Sequence, residues 1–314
     1  MAEFRVLISD PLPPMVREIL EETGKIEVLE GQGPIETDLP SIHGWIVRSG
    51  TTVDAASIER ATNLRVVCRA GAGVDNVDIP AATARDVIVM NTADANANAA
   101  AEQSIALMFA LARHTPAAHQ SMVEGRWDRK AYVGIELAGK TLGVIGLGKI
   151  GCGVATKARG LGMRIVGYDP FTPEDVTNAL GIERVELDAI WGQSDFISLH
   201  VPMNDATKHL IGRENLSRCR DGVRIVNCAR GGVVDPEAIL EGVENGKVAG
   251  AALDVYDPEP LAEDSPLRRH ERIICTPHLG ASTVEAQRNV GVMSAEQVRD
   301  CLISGEVRNR VGGH

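Results

Sequence analysis

Aromatic residues are scarce in this sequence, and long apolar runs are absent. The 314 residues include 3 Trp, 3 Tyr and 4 Phe, so we expect a core made mainly of Val, Ile, Leu and Ala. No apolar stretch approaches the roughly 18 residues that a membrane-spanning helix needs. The opening residues, MAEFRVLISD, combine an early acid with a strand-like apolar run and do not resemble a signal peptide. A transmembrane protein is therefore excluded.

Cysteine pairs are missing as well. The six cysteines are scattered along the chain, and none falls in a CxxC pair. This spacing favours reduced thiols over a disulfide framework or a zinc site, so we predict a cytoplasmic protein that binds no metal.

Positive charge is the third shortage. The chain has 32 Lys and Arg against 43 Asp and Glu, a net charge of −11. Such a balance argues against nucleic acid as the main partner, and it gives no long-range attraction for an anionic substrate. Any site for an anion must therefore be built locally from a few arginines.

Short apolar runs alternate with helix-like segments almost from end to end, and the length suits about two domains. Buried parallel strands have this appearance, so we predict an α/β fold with two Rossmann-like, doubly wound domains and parallel sheets. The predicted strands are 4–9, 44–49, 64–71, 87–92, 141–148, 163–170, 195–202, 223–230, 248–255 and 272–278.

One helix, predicted over residues 96–114, carries apolar residues on every side. It contains neither Gly nor Pro, and every position from 105 to 112 is apolar. A helix with one exposed face would show polar residues at every third or fourth position. We therefore expect this helix to be buried between the two sheets, in a subunit interface, or in both.

A glycine-rich turn follows the predicted strand at 141–148. Gly146, Gly148 and Gly151 have the GxGxxG spacing that lets backbone approach a pyrophosphate at a helix N-terminus. Asp169 ends the next strand, about 20 residues downstream, where it can bind ribose hydroxyls. No arginine occurs in residues 170–172, which favours NAD over NADP. An α/β unit precedes this motif and would supply the second wall of a cleft.

Three successive predicted strands end close to a chemically active side chain. The first ends at Arg230, the second carries Asp254 at its end with Glu259 a few residues later, and the third ends at His278. Ligands of open α/β sheets bind outside the carboxyl ends of the strands, so these side chains can converge on a nicotinamide.

These residue types suit hydride transfer between NAD and a secondary alcohol. His278 can take the hydroxyl proton, and a carboxylate such as Glu259 would fix its tautomer. Arg230 has the planar fork that holds a carboxylate in two bonds. Each residue alone has an ordinary structural explanation, but all three at neighbouring strand ends favour the catalytic one.

With these features together, the sequence resembles the D-specific 2-hydroxyacid dehydrogenases. The resemblance implies NAD-dependent oxidation of a 2-hydroxy acid, most specifically of D-3-phosphoglycerate to 3-phosphohydroxypyruvate, the first step of L-serine biosynthesis. The stretches that carry it span nearly the whole chain: VRSGT, CRAGAGVDNVDI, VMNT, AAAEQSIAL, GKTLGVIGLGKIG, YDP, VNCARGGVVD, AGAALDVYDPEP and PHLGAST.

The resemblance also implies the site residues. The catalytic residues are Arg230, Glu259 and His278. The residues implied to bind NAD, together with the glycine loop, are Ala72, Gly146, Gly148, Lys149, Ile150, Gly151, Asp169, Val201, Thr207, Cys228, Ala229, Arg230, Asp254, His278, Gly280 and Ala281. The residues implied to bind substrate are Arg48, Gly71, Asn96, Arg129, Arg230 and His278.

The domain organisation follows from the same resemblance. It implies a substrate domain that is discontinuous in sequence, made of residues 1–93 and the returning segment 282–314, with the NAD-binding domain at 94–281 between them. It implies a homodimer through the NAD-binding domain, in which Arg129 reaches the neighbouring subunit's site. The chain ends at VRNRVGGH, so we expect no C-terminal regulatory domain and no feedback by serine.

The sequence departs from the family pattern at two positions, and it leaves three alternative functions to consider. Ala93 stands where a proline is frequent, which alters a hinge-adjacent turn and bears on the exact substrate fit, and Val201 replaces a common threonine near the nicotinamide. The first alternative is a relative acting on glyoxylate, hydroxypyruvate or sulfolactate. The second is a non-catalytic NAD-sensing protein like the C-terminal-binding-protein corepressors. A methyltransferase fits the arginine, glutamate and histidine set poorly.

Overall fold

A computed structural model describes residues 2–31 and 38–312 and contains two sheets in which every strand pair is parallel. The first sheet has the order β2-β1-β3-β4-β5. Its strands are β1 (Phe4–Ile8), β2 (Ile26–Glu30), β3 (Gly44–Val47), β4 (Val66–Arg69) and β5 (Ile88–Asn91).

The second sheet has the order β12-β11-β10-β9-β6-β7-β8. Its strands are β6 (Thr141–Ile145), β7 (Arg164–Tyr168), β8 (Glu183–Arg184), β9 (Phe196–Leu199), β10 (Val223–Asn227), β11 (Val248–Leu253) and β12 (Ile273–Cys275). The predicted α/β class with parallel, doubly wound sheets is confirmed, and all ten predicted strands are present.

Two strands escaped the sequence prediction, and both lie at sheet edges. In β2, IEVLE, charged residues interrupt the apolar run, and Glu27 and Glu30 are exposed. The β8 strand is two exposed residues, Glu183 and Arg184, paired only with β7. Edge strands need not be apolar on both faces, so the pattern of a buried parallel strand does not find them.

Helices connect these parallel strands. They are α1 (Met15–Glu21), α2 (Ala55–Arg60), α3 (Ile79–Ala84), α4 (Ala93–Arg113), α5 (Thr115–Val123), α6 (Lys149–Gly160), α7 (Glu174–Ala179), α8 (Leu187–Gln193), α9 (Arg213–Arg218), α10 (Pro236–Glu244), α11 (Pro266–Arg269) and α12 (Val284–Ser304). Short 3-10 turns occur at Leu39–Ser41 and Gly231–Val233. Within the described ranges, no helix is both long and apolar enough to cross a membrane.

The chain divides into two compact units. Unit 1 comprises Met1–Ala97 with Ala281–His314, and unit 2 comprises Asn98–Gly280. The first division lies inside α4, whereas the sequence prediction put it at the start of that helix. Ala95 in the first turn of α4 packs on the core of unit 1, and Ala101 in the next turns packs in the core of unit 2.

The helix predicted to be buried between the sheets, in a subunit interface or in both has one face exposed in the single chain. Met108 and Ala112 of α4 are buried in the core of unit 2. Glu102, Ala106 and Phe109 are exposed, at the three- and four-residue spacing of a single helix face, and Phe109 is 41% exposed. Within one chain the helix is therefore buried on several sides, and burial of this remaining face in a subunit interface stays a prediction.

Candidate active site

The glycine loop joins β6 to α6, and each of its three glycines has a distinct steric role. Gly146 has φ +91°, and a Cβ there would lie 2.3 Å from the carbonyl oxygen of His200. A Cβ on Gly151 would lie 1.9 Å from the carbonyl oxygen of Gly146, so the helix packs on the turn only without a side chain. A Cβ on Gly148 would meet no heavy atom of the described chain within 4 Å. The loop therefore leaves an open cradle at the N-terminus of α6, which fits a pyrophosphate.

Asp169 closes β7 beside this loop. Its Oδ2 accepts a hydrogen bond from the Leu147 amide (2.7 Å), and its Oδ1 accepts from the amides of Phe171 (2.8 Å) and Thr172 (3.2 Å). The carboxylate thus holds the glycine loop against the strand end. An ionised carboxylate offers about four acceptor positions, so about one remains for a ribose hydroxyl.

Glu259 and His278 form the pair that the sequence analysis expected. Glu259 Oε2 lies 2.8 Å from His278 Nδ1. The other oxygen, Oε1, accepts from the Tyr256 amide at 2.9 Å, so the carboxylate is fixed at both ends. The side chains are 48% (His278) and 35% (Glu259) exposed, which leaves the pair accessible to a ligand. A carboxylate on Nδ1 selects the tautomer in which Nε2 is the basic nitrogen.

The turn that carries His278 is held by a buried carboxylate. Asp254 is fully buried; its Oδ1 accepts from Thr276 Oγ1 (2.5 Å) and the Leu279 amide (2.8 Å), and its Oδ2 accepts from the Gly280 amide (2.8 Å). His278 itself has φ +55°, a left-handed conformation that costs energy outside glycine unless the surroundings hold it. Asp254, predicted as an NAD contact, therefore uses three of its about four acceptor positions to hold the histidine turn.

Arg230 lies on the loop after β10, next to the loop that carries Glu259. Asn227 shapes this loop: its Nδ2 donates to the Arg230 carbonyl (2.9 Å), and its Oδ1 accepts from the Ala229 amide (3.0 Å). A Cβ on Gly231 would lie 1.9 Å from the Tyr256 carbonyl carbon, so glycine is required for the two loops to meet. The half-buried Arg230 thus lies on a hydrogen-bonded turn at the carboxyl ends of the strands, as do Glu259 and His278.

Burial shifts the pKa values of His200 and Cys228, which directly follow β9 and β10. Burial lowers the pKa of His200 to about 4, and its Nε2 lies 2.8 Å from Ser198 Oγ. Burial raises the pKa of the Cys228 thiol to about 12. His200 is therefore neutral and Cys228 is a protonated thiol at neutral pH, so neither supplies charge to the site. His200 and Tyr256 were missed by sequence reasoning, because their roles lie in backbone packing and hydrogen bonds.

The other unit 2 residues of the predicted site follow strand ends or lie close to them. They are Lys149 and Ile150 in the first turn of α6, Val201 and Thr207 after β9, Cys228 and Ala229 after β10, and Gly280 after His278. Thr207 Oγ1 donates to the Pro202 carbonyl at 2.6 Å, which holds the loop after β9. Arg129 is exposed in the segment that follows α5.

Unit 1 holds the remaining predicted residues, most of them after the carboxyl ends of its strands. Arg48 follows β3, and its amide donates to Asp10 Oδ2 at 2.7 Å. Gly71 (φ +152°) and Ala72 follow β4, while Asn96 lies in the first turn of α4 after β5. Asn96 is buried, and its Oδ1 has no hydrogen-bond partner among the described residues, as expected of a group that awaits a ligand. Ala281 belongs to unit 1, whereas His278 and Gly280 belong to unit 2.

The family model described as "D-isomer specific 2-hydroxyacid dehydrogenase, NAD binding domain" matches residues 105–280. The chain belongs to this family. Unit 2 is the NAD-binding domain of a D-isomer specific 2-hydroxyacid dehydrogenase, and the open cradle at Gly148 with Asp169 beside it fits that cofactor.

Individual members of the family are similar over almost the whole chain. The protein named D-3-phosphoglycerate dehydrogenase of Methanocaldococcus jannaschii is 45% identical over 98% of this chain and 59% of its own length. The human protein of that name is 46% identical over 95% of this chain and 56% of its own length. The chain therefore spans little more than half the length of these relatives. Among solved structures, a glyoxylate reductase from Paecilomyes thermophila has a TM-score of 0.91 at 29% identity and covers 99% of both chains.

Proposed function

We propose that this chain catalyses the NAD-dependent oxidation of D-3-phosphoglycerate to 3-phosphohydroxypyruvate, the first step of L-serine biosynthesis. The observation that carries the reaction class is the 2.8 Å contact between His278 Nδ1 and Glu259 Oε2, with Arg230 on the adjoining loop of the NAD-binding domain. The choice of substrate is supported by the similarity to relatives named for it.

The proton follows a defined route in this proposal. Nε2 of His278 accepts the proton of the substrate hydroxyl, because Nδ1 is engaged by Glu259. The carboxylate keeps the imidazole oriented and stabilises the imidazolium that forms. NAD, when bound, supplies the acceptor for the hydride that leaves C2. Loss of the proton and the hydride converts the alcohol to the ketone.

Arginines bind the two anionic ends of the substrate. Arg230 holds the carboxylate with its planar fork, and its rigid turn limits the entropy lost on binding. We assign the distal phosphate to Arg48 and to Arg129 of a second copy. Local cations of this kind are needed because the chain as a whole carries a net charge of −11.

A homodimer is part of the proposal. Large apolar side chains on α4, on α5 and in the segment after α5 are exposed in one chain: Phe109 (41%), Met122 (51%), Val123 (67%), Trp127 (77%) and Val133 (77%). Exposed apolar groups concentrated in one segment mark interaction surfaces, and a second copy of the chain is the occupant we infer. The scattered free cysteines support the further proposal of a cytoplasmic location.

The test is NADH formation, followed by absorbance, with D-3-phosphoglycerate, D-glycerate and sulfolactate as alternative substrates. A strong preference for the phosphorylated acid supports the proposal. Equal or faster turnover of another acid would make that acid the substrate, and the reaction would still be the NAD-dependent oxidation of a 2-hydroxy acid. Failure to reduce NAD with any hydroxy acid contradicts the enzymatic role and favours an NAD-sensing protein.

A second candidate is a reductase of glyoxylate or hydroxypyruvate. It is favoured by the similarity of the fold to the glyoxylate reductase structure. The catalytic residues would be the same, and only the distal pocket would differ. Oxidation of NADH by glyoxylate, at a rate above that of 3-phosphohydroxypyruvate, would establish this alternative.

A further inference from the structure

The edge strand β8 places an arginine at the loop that begins with Asp169. Arg184 pairs with Gly167 of β7, two residues before Asp169. Its Nη2 donates to the Asp169 carbonyl (3.3 Å), and its Nη1 donates to the Thr172 carbonyl (3.0 Å). Arg184 lies twelve and fifteen residues beyond its two partners, so a cation next to Asp169 is not evident from residues 170–172.

The position matters because of what Asp169 does in a dinucleotide site. An acid about 20 residues after the glycine loop binds the ribose 2′-hydroxyl of NAD, and an arginine nearby accommodates the 2′-phosphate of NADP. Asp169 and Arg184 supply both kinds of group at one loop. The carboxylate repels a 2′-phosphate, whereas the guanidinium attracts it.

Arg184 has the capacity to bind a further anion. The two carbonyls take two of the five N–H donors of a guanidinium, and the side chain is exposed. The two bonds also fix the guanidinium over the loop, so little side-chain entropy remains to be lost when an anion binds. Arg164 on the same strand pair differs: it donates to Glu183 and Gln193 at the opposite end of β7.

We propose that Arg184 is a 2′-phosphate-binding residue that opposes the repulsion of that phosphate by the neighbouring Asp169 carboxylate. The inference rests on the dinucleotide site of the proposed function and extends its ligand class to 2′-phosphorylated adenosine. Arg184 attracts the 2′-phosphate and so limits how much more weakly NADP binds than NAD. Once the charge of Asp169 is removed, the same position binds NADP.

The competing explanation is that Arg184 only supports the loop through its two carbonyl contacts. Loss of support would weaken NAD and NADP together, because both share the adenosine and the pyrophosphate. Loss of a phosphate contact would weaken only the 2′-phosphorylated ligand. The ratio of the two dissociation constants therefore separates the roles.

The experiment is isothermal titration calorimetry with four ligands: NAD, NADP, 5′-AMP and adenosine 2′,5′-bisphosphate. The proteins are the unaltered chain, R184Q, D169N, the double variant D169N/R184Q, and R164Q as the matched control. We expect D169N to lower the ratio of Kd for NADP to Kd for NAD by about tenfold or more, and R184Q to reverse that gain by about tenfold. The pair of mononucleotides should show the same pattern, while R164Q should leave both ratios as in the unaltered chain.

Several results would overturn the inference. One is a gain in NADP affinity in D169N that persists in the double variant. Another is a D169N protein that binds NAD but gains nothing for NADP or the bisphosphate. If D169N unfolds, the single variant R184Q still decides, because an unchanged NADP-to-NAD ratio would contradict the role. Failure of the unaltered chain to bind NAD at all would overturn the proposed dinucleotide site itself, a result distinct from the others.

Discussion

The imidazole of His278 depends on one neighbour for its proposed chemistry. Glu259 Oε2 contacts Nδ1 at 2.8 Å, and the Tyr256 amide holds the other carboxylate oxygen. The residue types alone suggested an acid/base histidine, since imidazole titrates near neutral pH. The residues also suggested a carboxylate such as Glu259 as its partner, and the resemblance implied Glu259 as the catalytic one, but the contact itself depends on how the two loops fold.

Replacing His278 with alanine should lower kcat by about two to four decades, because the hydroxyl proton loses its acceptor. Glu259→Gln keeps the shape but removes the charge, and we expect a loss of about ten- to hundredfold. Steady-state turnover of 3-phosphoglycerate measures both effects. His270→Ala is the control, since this histidine accepts a bond from the Arg272 amide away from the pair. Full turnover by the His278 variant would refute the assigned role.

Burial of His200 predicts a dependence of stability on pH. Its pKa in the folded chain is about 4, against about 6.5 for a histidine in an unfolded chain. As the pH falls below about 6.5, the unfolded chain takes up a proton that the folded chain does not, so the free energy of unfolding decreases. Between about pH 7 and pH 5 we expect a loss of about 1–2 kcal/mol from this residue.

Urea unfolding of the unaltered chain and of His200→Gln at both pH values tests this prediction. The glutamine variant lacks the titrating group, so its free energy of unfolding should fall less on acidification. Other ionisable groups contribute equally to both proteins and cancel in the comparison. Identical pH dependence in the two proteins would show that His200 ionises as freely in the folded state.

At the scale of elements, the turn between β6 and α6 shows which features a local pattern specifies. The GxGxxG spacing predicted a strand, a tight turn and a helix, and the structure has them in that order. At Gly146 a side chain is excluded by the carbonyl of His200, which is distant in sequence. At Gly151 a side chain is excluded by the carbonyl of Gly146, which is close in sequence. The edge strands β2 and β8 were missed because charged residues interrupt β2 and make up β8, so neither shows the continuous apolar run of a buried parallel strand.

Gly151→Ala should separate helix α6 from the phosphate turn. The added Cβ would sit 1.9 Å from the Gly146 carbonyl oxygen, so the backbone must shift, at a cost of about 1–3 kcal/mol. We expect a lower melting temperature and weaker NAD binding by calorimetry. Gly160→Ala, at the last residue of the same helix, meets no heavy atom of the described chain within 4 Å and should be tolerated. Equal behaviour of the two variants would contradict this account.

At the scale of the whole molecule, the fold of one chain does not explain the apolar pattern of α4. Its apolar residues run round the helix, yet Phe109 is 41% exposed in the folded chain. The rest of the exposed apolar side chains of this region, including Trp127 at 77%, follow α4 directly in sequence. A second copy of the chain would bury these side chains and would explain why the apolar residues of α4 run round the whole helix.

Trp127→Asp combined with Phe109→Glu should dissociate the proposed homodimer. Charges at the centre of an apolar interface cannot be desolvated without a partner, so we expect the molar mass from light scattering to fall to that of one chain. Val284→Asp places a charge on another exposed apolar side chain, in unit 1, and should leave the mass as in the unaltered chain. A monomeric unaltered protein would refute the homodimer.

The sequence by itself determined the α/β class, the ten strands with continuous apolar runs, the phosphate turn and the order of Arg230, Asp254, Glu259 and His278 along the chain. These features follow from burial of continuous apolar runs and from the steric freedom of glycine, which act over a few neighbouring residues. Only the tertiary structure decided that Asp254 clamps the histidine turn, that His200 packs on Gly146, and that β8 brings Arg184 to Asp169. Those contacts depend on which strands become neighbours and in what register, and no local pattern encodes that pairing.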